Sequence, residues 1–135
     1  MSKRQNECRT YFKIFGDFKV DDISNILNLQ PEESWEKEDL RRDGKPYGFA
    51  HWSIGYCDEY NPYVYEQMRK TISPLLDKVD QLRLIKEKFR VDMYLVVVPK
   101  VYAESISPCL APTPDIVEFL YKSKAELDID LYTLK

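Results

Sequence analysis

The sequence has few of the residues that build metal sites, disulfide frameworks and phosphate-binding loops. Its 135 residues include one histidine, three cysteines and four glycines. The odd number of cysteines and the lack of C-x-x-C spacing between Cys8, Cys57 and Cys109 argue against a disulfide scaffold and a structural zinc site. No H-E-x-x-H, G-x-x-x-x-G-K or G-x-G-x-x-G motif occurs. We therefore expect neither a metal nor a cofactor.

An excess of charge of one sign and long apolar runs are also missing. The chain has 20 lysines and arginines against 23 aspartates and glutamates, a net charge of −3, and the two signs are interleaved. A nucleic-acid-binding protein normally carries a basic surface. The longest strongly apolar run, residues 93–98, is too short to span a bilayer, and the first residues lead into no apolar signal segment. We expect a cytoplasmic protein that binds neither nucleic acid nor membrane.

The chain is most simply one domain, because no repeat, low-complexity tract or linker divides it. Aromatic residues make up 13% of it, and ten of them are tyrosines. Tyrosine suits interfaces, since its ring is buried easily while its hydroxyl stays hydrogen-bonded. Half-buried strands also favour tyrosine. The composition therefore leaves an interface and an ordinary sheet as alternatives.

The spacing of apolar residues predicts interleaved strands and helices, with period two in strands and steps of three or four in helices. Pro74 lacks an N–H and crowds the carbonyl four residues earlier, so it breaks or kinks the apolar stripe of residues 62–89. Asn28 suits the left-handed position that ends a helix. The predicted strands are 11–15, 34–40, 52–57, 91–101 and 129–134; the predicted helices are 20–27, 62–73, 74–89 and one that residues 113–115 begin.

Residues 41–52, R-R-D-G-K-P-Y-G-F-A-H-W, connect two of these strands. Asp43-Gly44 is a favoured dipeptide of the type I′ turn, in which both central residues need positive φ. We therefore predict an antiparallel hairpin with a loop lengthened by Pro46 and Gly48. Strands and helices mixed with a hairpin predict an α+β fold, with a mostly antiparallel sheet and helices mainly on one face. Its first six elements match the ferredoxin-like β-α-β-β-α-β order, followed by a C-terminal helix and strand.

Several short motifs occur in a characteristic order: F-K-I-F-G-D-F at 12–18, D-D-I-S at 21–24, L-N-L-Q-P at 27–31, S-W-E-K at 34–37, G-K-P-Y-G-F-A-H-W at 44–52 and D-I-D-L-Y at 128–132. This series resembles a bacterial family known only as domain of unknown function 4279. The resemblance spans nearly the whole chain. It implies a common fold and carries no established activity.

The chain departs from the family pattern at three places. Lys19-Val20 stands where Asp-Pro is usual, Asn28 where glycine is usual, and Glu38 where glycine often follows the lysine. Lysine cannot accept a backbone N–H, so the first change weakens the start of the first helix. Asn28 remains compatible with a left-handed conformation.

The hairpin and its flanks hold the best candidates for a contact surface. Arginine forks suit carboxylates and phosphates, and two tryptophans on adjacent strands would form an aromatic floor. The alternatives stay open: a cross-strand tryptophan pair that only stabilises the sheet, and a solvated arginine pair. The candidate ligand- or partner-binding residues are Trp35, Arg41, Arg42, Tyr47, His51 and Trp52.

His51 also supports an enzyme hypothesis. Its neighbour Trp52 should face the core, so the side chain of His51 should face the other side of the sheet or solvent. A catalytic histidine needs a partner that fixes its tautomer, and Asp17, Asp58 and Glu59 are the candidate carboxylates. Gly16-Asp17 precedes a helix N-terminus, which favours anions, although Asp17 is better suited to cap the turn or the helix.

The sequence leads us to three functional hypotheses. The first is a non-enzymatic binding module, of an immunity or regulatory type by analogy of size and charge, that recognises a protein partner or an acidic small molecule. The second is a small acid–base enzyme that uses His51 with a nearby carboxylate. The third is homo-oligomerisation through a sheet edge. No catalytic residue is assigned, and the oligomeric state stays open.

Overall fold

The computed structural model describes residues 5–135. A single 3-10 turn, Ser73–Leu75, separates the second and third helices. The strands are β1 Glu7–Gly16, β2 Glu33–Trp35, β3 Ala50–Cys57, β4 Asp92–Tyr102, β5 Glu126–Ile129 and β6 Tyr132–Leu134. The helices are α1 Val20–Leu27, α2 Tyr65–Ile72, α3 Val79–Phe89 and α4 Pro114–Ser123.

The strands form one mixed sheet in the order β2-β3-β1-β4-β5, and β6 also pairs with β4. The pairs β2–β3, β3–β1 and β1–β4 are antiparallel, whereas β5 and β6 run parallel to β4. The first four strands therefore have the order of the split β-α-β arrangement. The predicted α+β fold, its ferredoxin-like core and the hairpin between β2 and β3 are confirmed.

The helices cover one face of this sheet and leave the other face open. Burial alternates along β1 up to Phe15: Phe12 and Ile14 are fully buried, while Tyr11, Lys13 and Phe15 are only half-buried. The buried side packs against the helices, for example at an edge-to-face contact between Phe12 and Phe119 of α4, with ring centroids 6.0 Å apart. The half-buried side forms what we call the open face.

Some boundaries of the helices and strands agree with those predicted from the sequence, and others differ. Asn28 ends α1 with φ 53° and ψ 43°, as predicted. The stripe of residues 62–89 is broken, because the 3-10 turn at Pro74 and a short connection separate α2 from α3. The predicted strand 34–40 is limited to three residues, and the last strand is divided at residues 130–131 into β5 and β6.

The turn of the hairpin differs from the predicted type. The N–H of Gly44 bonds to the carbonyl of Arg41 at 3.0 Å, so the central residues are Arg42 and Asp43. Neither has a positive φ; only Gly44, with φ 81°, does. The type I′ prediction was therefore wrong, because glycine is used after the turn and not inside it. Glu38 has φ 78°, which accounts for the glycine that the resembled family often has there.

A distant carboxylate caps the first helix. Lys19, at the N-cap position, makes no side-chain capping bond. Instead, the N–H of Val20 donates to the Glu36 carboxylate, 2.6 Å from Oε1 and 3.3 Å from Oε2. Asp17, predicted to cap, lies 3.6 Å from the Lys37 ammonium. The anion that a helix N-terminus favours is therefore supplied by the chain itself.

We expect Glu36→Gln to lower the free energy of unfolding by about 1 kcal/mol, since it removes the charge that stabilises the N-terminus of α1. Urea denaturation followed by circular dichroism measures this loss. Glu38→Gln, which removes the same charge two residues away, is the matched control and should have little effect. Equal losses in both variants would contradict a capping role for Glu36.

Candidate functional site

Three aromatic side chains are stacked at the β2 edge of the open face. Trp35 of β2 lies opposite His51 of β3 in the antiparallel register. Their ring centroids are 4.1 Å apart at an interplanar angle of 13°. Tyr47 lies 4.2 Å from Trp35 at 15°. We call Tyr47, Trp35 and His51 the aromatic stack.

The backbone around Tyr47 holds it in the stack. Its N–H bonds to the carbonyl of Asp39 at 2.9 Å, and its carbonyl accepts the N–H of Glu38 at 3.1 Å. The Trp35 indole N–H donates to the carbonyl of Phe49 at 3.1 Å. The loop between β2 and β3 therefore holds Tyr47 and Trp35 in the stack.

The aromatic surface continues from the stack across the sheet. Phe49 lies 6.3 Å from Trp35 and 5.4 Å from Phe15 of β1. Phe15 lies 5.8 Å from Tyr94 of β4, so rings are linked from β2 to β4. The Lys13 ammonium sits 4.9 Å from the centre of the Phe15 ring, within the range of a cation–π contact.

A chain of hydrogen bonds runs beneath the stack. His51 Nε2 lies 2.8 Å from Ser53 Oγ, and Ser53 Oγ lies 2.9 Å from the Tyr56 hydroxyl. The Tyr56 hydroxyl donates to Glu33 Oε2 at 3.1 Å. Ser53 is fully buried and His51 is 7% exposed. The polar atoms beneath the rings are thus linked to a carboxylate at the surface.

A bulge in β3 makes this chain possible. Phe12 pairs with Ile54, but Thr10 pairs with Cys57, so β3 has one extra residue between them. Gly55, with φ 78°, occupies this irregularity. Strict period two over the predicted strand 52–57 would place Tyr56 on the same side as Trp52. The bulge moves Tyr56 to the open face instead, where its ring stacks on Tyr11 at 4.7 Å.

Burial changes the acid–base behaviour of this site. It lowers the pKa of His51 to about 4; the Glu33 carboxylate opposes this shift and the Lys13 ammonium adds to it. Burial also raises the pKa of Tyr56 to about 12. Both side chains are therefore uncharged at neutral pH.

We expect His51 to make folding stability depend on pH between about 4 and 6.5. In this window the unfolded chain binds a proton that the folded chain resists, so the free energy of unfolding rises with pH and its gain is complete above 6.5. One pKa unit corresponds to about 1.4 kcal/mol of stability. The ring keeps some contact with water, which reduces the full effect of the shift, so we expect a gain of about 2 kcal/mol. Urea midpoints across this range test it. His51→Gln should lose this slope.

The structure brings together three of the six predicted contact residues. Trp35, Tyr47 and His51 form the stack, and His51 lies on the opposite side from Trp52, as predicted. Trp52 is fully buried on the helix face, where its indole N–H bonds to Ser24 Oγ at 3.0 Å. The predicted tryptophan pair is therefore not formed, because Trp35 faces His51 across the strands and Ser34 faces Trp52.

The two arginines lie at the exposed turn of the hairpin. Arg41 is 3.2 Å from Asp43 of the same turn, and both side chains are about half exposed. Arg42 is exposed as well. With Lys45, the turn carries three cations and one carboxylate. The arginines therefore lie beside the aromatic surface and do not form its floor.

The carboxylates expected to assist His51 have other partners. Asp58 receives two bonds from Arg9, at 2.7 and 3.1 Å. Glu59 lies 3.6 Å from Lys70. Asp17 is paired with Lys37, as described above. The hydrogen-bond partner of His51 in the described residues is Ser53, so His51 is not paired directly with any of these three carboxylates.

Two further findings concern residues 5–135 as a whole. No group of three or more histidine, cysteine or acidic side chains is arranged there to hold a metal ion. No helix in this range is long and apolar enough to cross a membrane.

A pocket of about 480 Å³ opens at the far end of the open face, beside the Arg9–Asp58 pair and Tyr11.

Sequence reasoning missed most of the open face. The missed residues are Lys13, Phe15, Glu33, Phe49, Ser53, Tyr56 and Tyr94. The contribution of β1 to the open face could have been predicted from the sequence. Tyr11, Lys13 and Phe15 alternate with apolar residues and must share one side of β1. Which residues of other strands face them depends on register, and this is not encoded in any one strand.

The split β-α-β sheet with one helix-covered face and one aromatic face defines the class of this protein as α+β. The chain belongs to the family described as Domain of unknown function (DUF4279), whose model matches residues 6–134. No curated protein and no solved structure gives a significant match.

Proposed function

We propose that this protein is a non-enzymatic interaction module that binds a protein partner through the aromatic stack and the adjoining hairpin. The observation that carries the proposal is the stack itself, in which half-buried Trp35 is held between Tyr47 and His51 at 4.2 and 4.1 Å. Tryptophan, tyrosine and arginine are the residues that most often dominate binding energy at protein interfaces. Rings that are already fixed lose little side-chain entropy on binding.

The surroundings of the stack fit a protein partner better than a small ligand. Phe49 is 40% exposed and Leu40 is 72% exposed, so apolar area is already accessible beside the stack. The exposed turn adds the positive charges of Arg41, Arg42 and Lys45 at its rim. An apolar centre with a charged rim is the usual anatomy of an interface, and this rim favours an acidic partner.

The proposal includes a cytoplasmic location and a regulatory or immunity-type role. Cys8, Cys57 and Cys109 are free thiols, and Cys109 is exposed. Free thiols persist in a reducing compartment. The role is supported by the fixed aromatic contact surface together with the analogy of size and charge.

We expect Trp35→Ala to abolish partner retention in an affinity experiment with extract of the native cells, followed by reconstitution with the purified partner. Tyr121→Ala is the matched control, since Tyr121 is a 77% exposed aromatic residue on α4, on the opposite side of the sheet. A partner kept by wild type and by Tyr121→Ala but lost by Trp35→Ala supports the proposal. Retention by all three proteins overturns it. In that case, loss of the partner when Arg41 and Arg42 are replaced would show that the charged turn binds it without the aromatic stack.

A further inference from the structure

The hydrogen atoms of the buried chain can be assigned from its end. The Glu33 carboxylate can only accept, so the Tyr56 hydroxyl must donate to it. Tyr56 has one hydroxyl hydrogen, so at 2.9 Å its oxygen accepts from Ser53. Ser53 Oγ also lies 3.3 Å from the backbone carbonyl of Glu33, a second and longer acceptor. The single hydroxyl hydrogen of Ser53 is used by either acceptor, so none is left for His51. At 2.8 Å, the hydrogen between Ser53 and His51 must therefore come from Nε2 of the imidazole.

The other tautomer of His51 leaves contacts without hydrogens. With the proton on Nδ1, Ser53 would donate to Nε2. The 2.9 Å contact between Ser53 and Tyr56 would then have no hydrogen while Tyr56 donates to Glu33. Two oxygen lone pairs at that distance in a buried site are costly.

The remaining nitrogen of His51 lies where solvent reaches the ring. Nδ1 makes no hydrogen bond within residues 5–135, whereas every buried side-chain nitrogen and oxygen there has a partner. Nδ1 is therefore at the exposed part of the 7% exposed side chain. Trp35 covers one face of the ring, and Phe15 lies opposite His51 on the neighbouring strand.

We infer that His51, held as the Nε2–H tautomer by Ser53, Tyr56 and Glu33, presents Nδ1 as a hydrogen-bond acceptor for an uncharged N–H of the partner, such as a peptide amide. The inference that Nδ1 binds a partner rests on the proposed function; the tautomer does not. Burial, the main cause of the low pKa of His51, disfavours a cationic donor at this place. The low pKa of His51 keeps the acceptor lone pair available at neutral pH. An acceptor among fixed rings selects a partner by its donor as well as by its shape.

Nitrogen NMR of the full chain labelled with ¹⁵N-histidine tests the tautomer, because His51 is the only histidine in the sequence. At pH 7 we expect one set of signals, with Nε2 protonated and Nδ1 unprotonated. Tyr56→Phe breaks the chain and should raise the population with Nδ1 protonated, while Tyr121→Phe should leave the signals unchanged. A wild-type signal set dominated by protonated Nδ1, or one insensitive to Tyr56→Phe, overturns the assignment.

Two small amides test the acceptor. N-methylacetamide carries one N–H, and N,N-dimethylacetamide has none but is otherwise similar. Titration with the first should move the Nδ1 resonance and titration with the second should not. An equal response to both overturns an acceptor role at Nδ1. The two proposals are tested separately. If the NMR result overturns the tautomer, the binding experiment with Trp35→Ala still tests the partner surface.

Discussion

Replacing Gly55 by alanine is expected to lower the free energy of unfolding by about 4 kcal/mol, a large part of the stability of an ordinary domain. Gly55 has φ 78°, a conformation that costs about 1–2 kcal/mol for a residue with a side chain. An added Cβ would also overlap the carbonyl oxygen of Thr71 and lie 3.0 Å from its carbonyl carbon. Backbone atoms of α2 cannot move aside without separating the helix from the sheet. Urea unfolding followed by circular dichroism measures the loss.

Alanine substitutions at two other glycines separate the cost of the positive φ from the cost of the steric overlap. Gly44 has φ 81° but nothing within 4 Å of an added Cβ, so Gly44→Ala should cost only the backbone strain, about 1 kcal/mol. Gly48 has neither feature, so Gly48→Ala should be close to neutral. If Gly55→Ala were no worse than Gly44→Ala, the close approach of α2 to β3 would not determine the requirement for glycine.

The bulge at Gly55 also shows why the sequence predicted the fold better than the site. The order of elements, the hairpin, the end of α1 at Asn28 and the break at Pro74 follow from local patterns of spacing and backbone preference. Strict period two over residues 52–57 would place Tyr56 on the same side of the sheet as Trp52. The irregular residue reverses this, and the alternating pattern of one strand holds no sign of an extra residue in the pairing.

The candidate site was only partly predictable because it depends on contacts between distant residues. Tyr47, Trp35 and His51 were each singled out for their chemistry, but their mutual stacking depends on the β2–β3 register and on the path of the loop. Glu36 caps a helix that begins sixteen residues earlier in the chain. Such partners are specified by tertiary structure, and a single sequence does not show which carboxylate or ring will meet which neighbour.

The two tryptophans should give opposite results in stability and binding. Trp52 is fully buried among core residues and its indole N–H bonds to Ser24. We expect Trp52→Ala to lower the free energy of unfolding by about 4 kcal/mol, because it leaves a cavity and an unpaired buried hydroxyl. Half-buried Trp35 contributes mainly its stacking, so Trp35→Ala should cost about 1 kcal/mol and abolish partner retention. Circular dichroism in urea is the suitable measurement, since both changes remove a fluorophore.

Comparison of Trp52→Ala with Trp35→Ala decides whether the two faces of the sheet have separate roles. If Trp52→Ala unfolds readily while Trp35→Ala stays folded and loses the partner, the helix face provides stability and the open face provides recognition. If instead both variants lose about the same stability, the aromatic stack is a second core, and the rings of the open face exist to hold the edge of the sheet. In that case partner loss in Trp35→Ala would follow from unfolding, and Tyr47→Phe, which keeps the stacked ring and removes only the hydroxyl, should retain full stability.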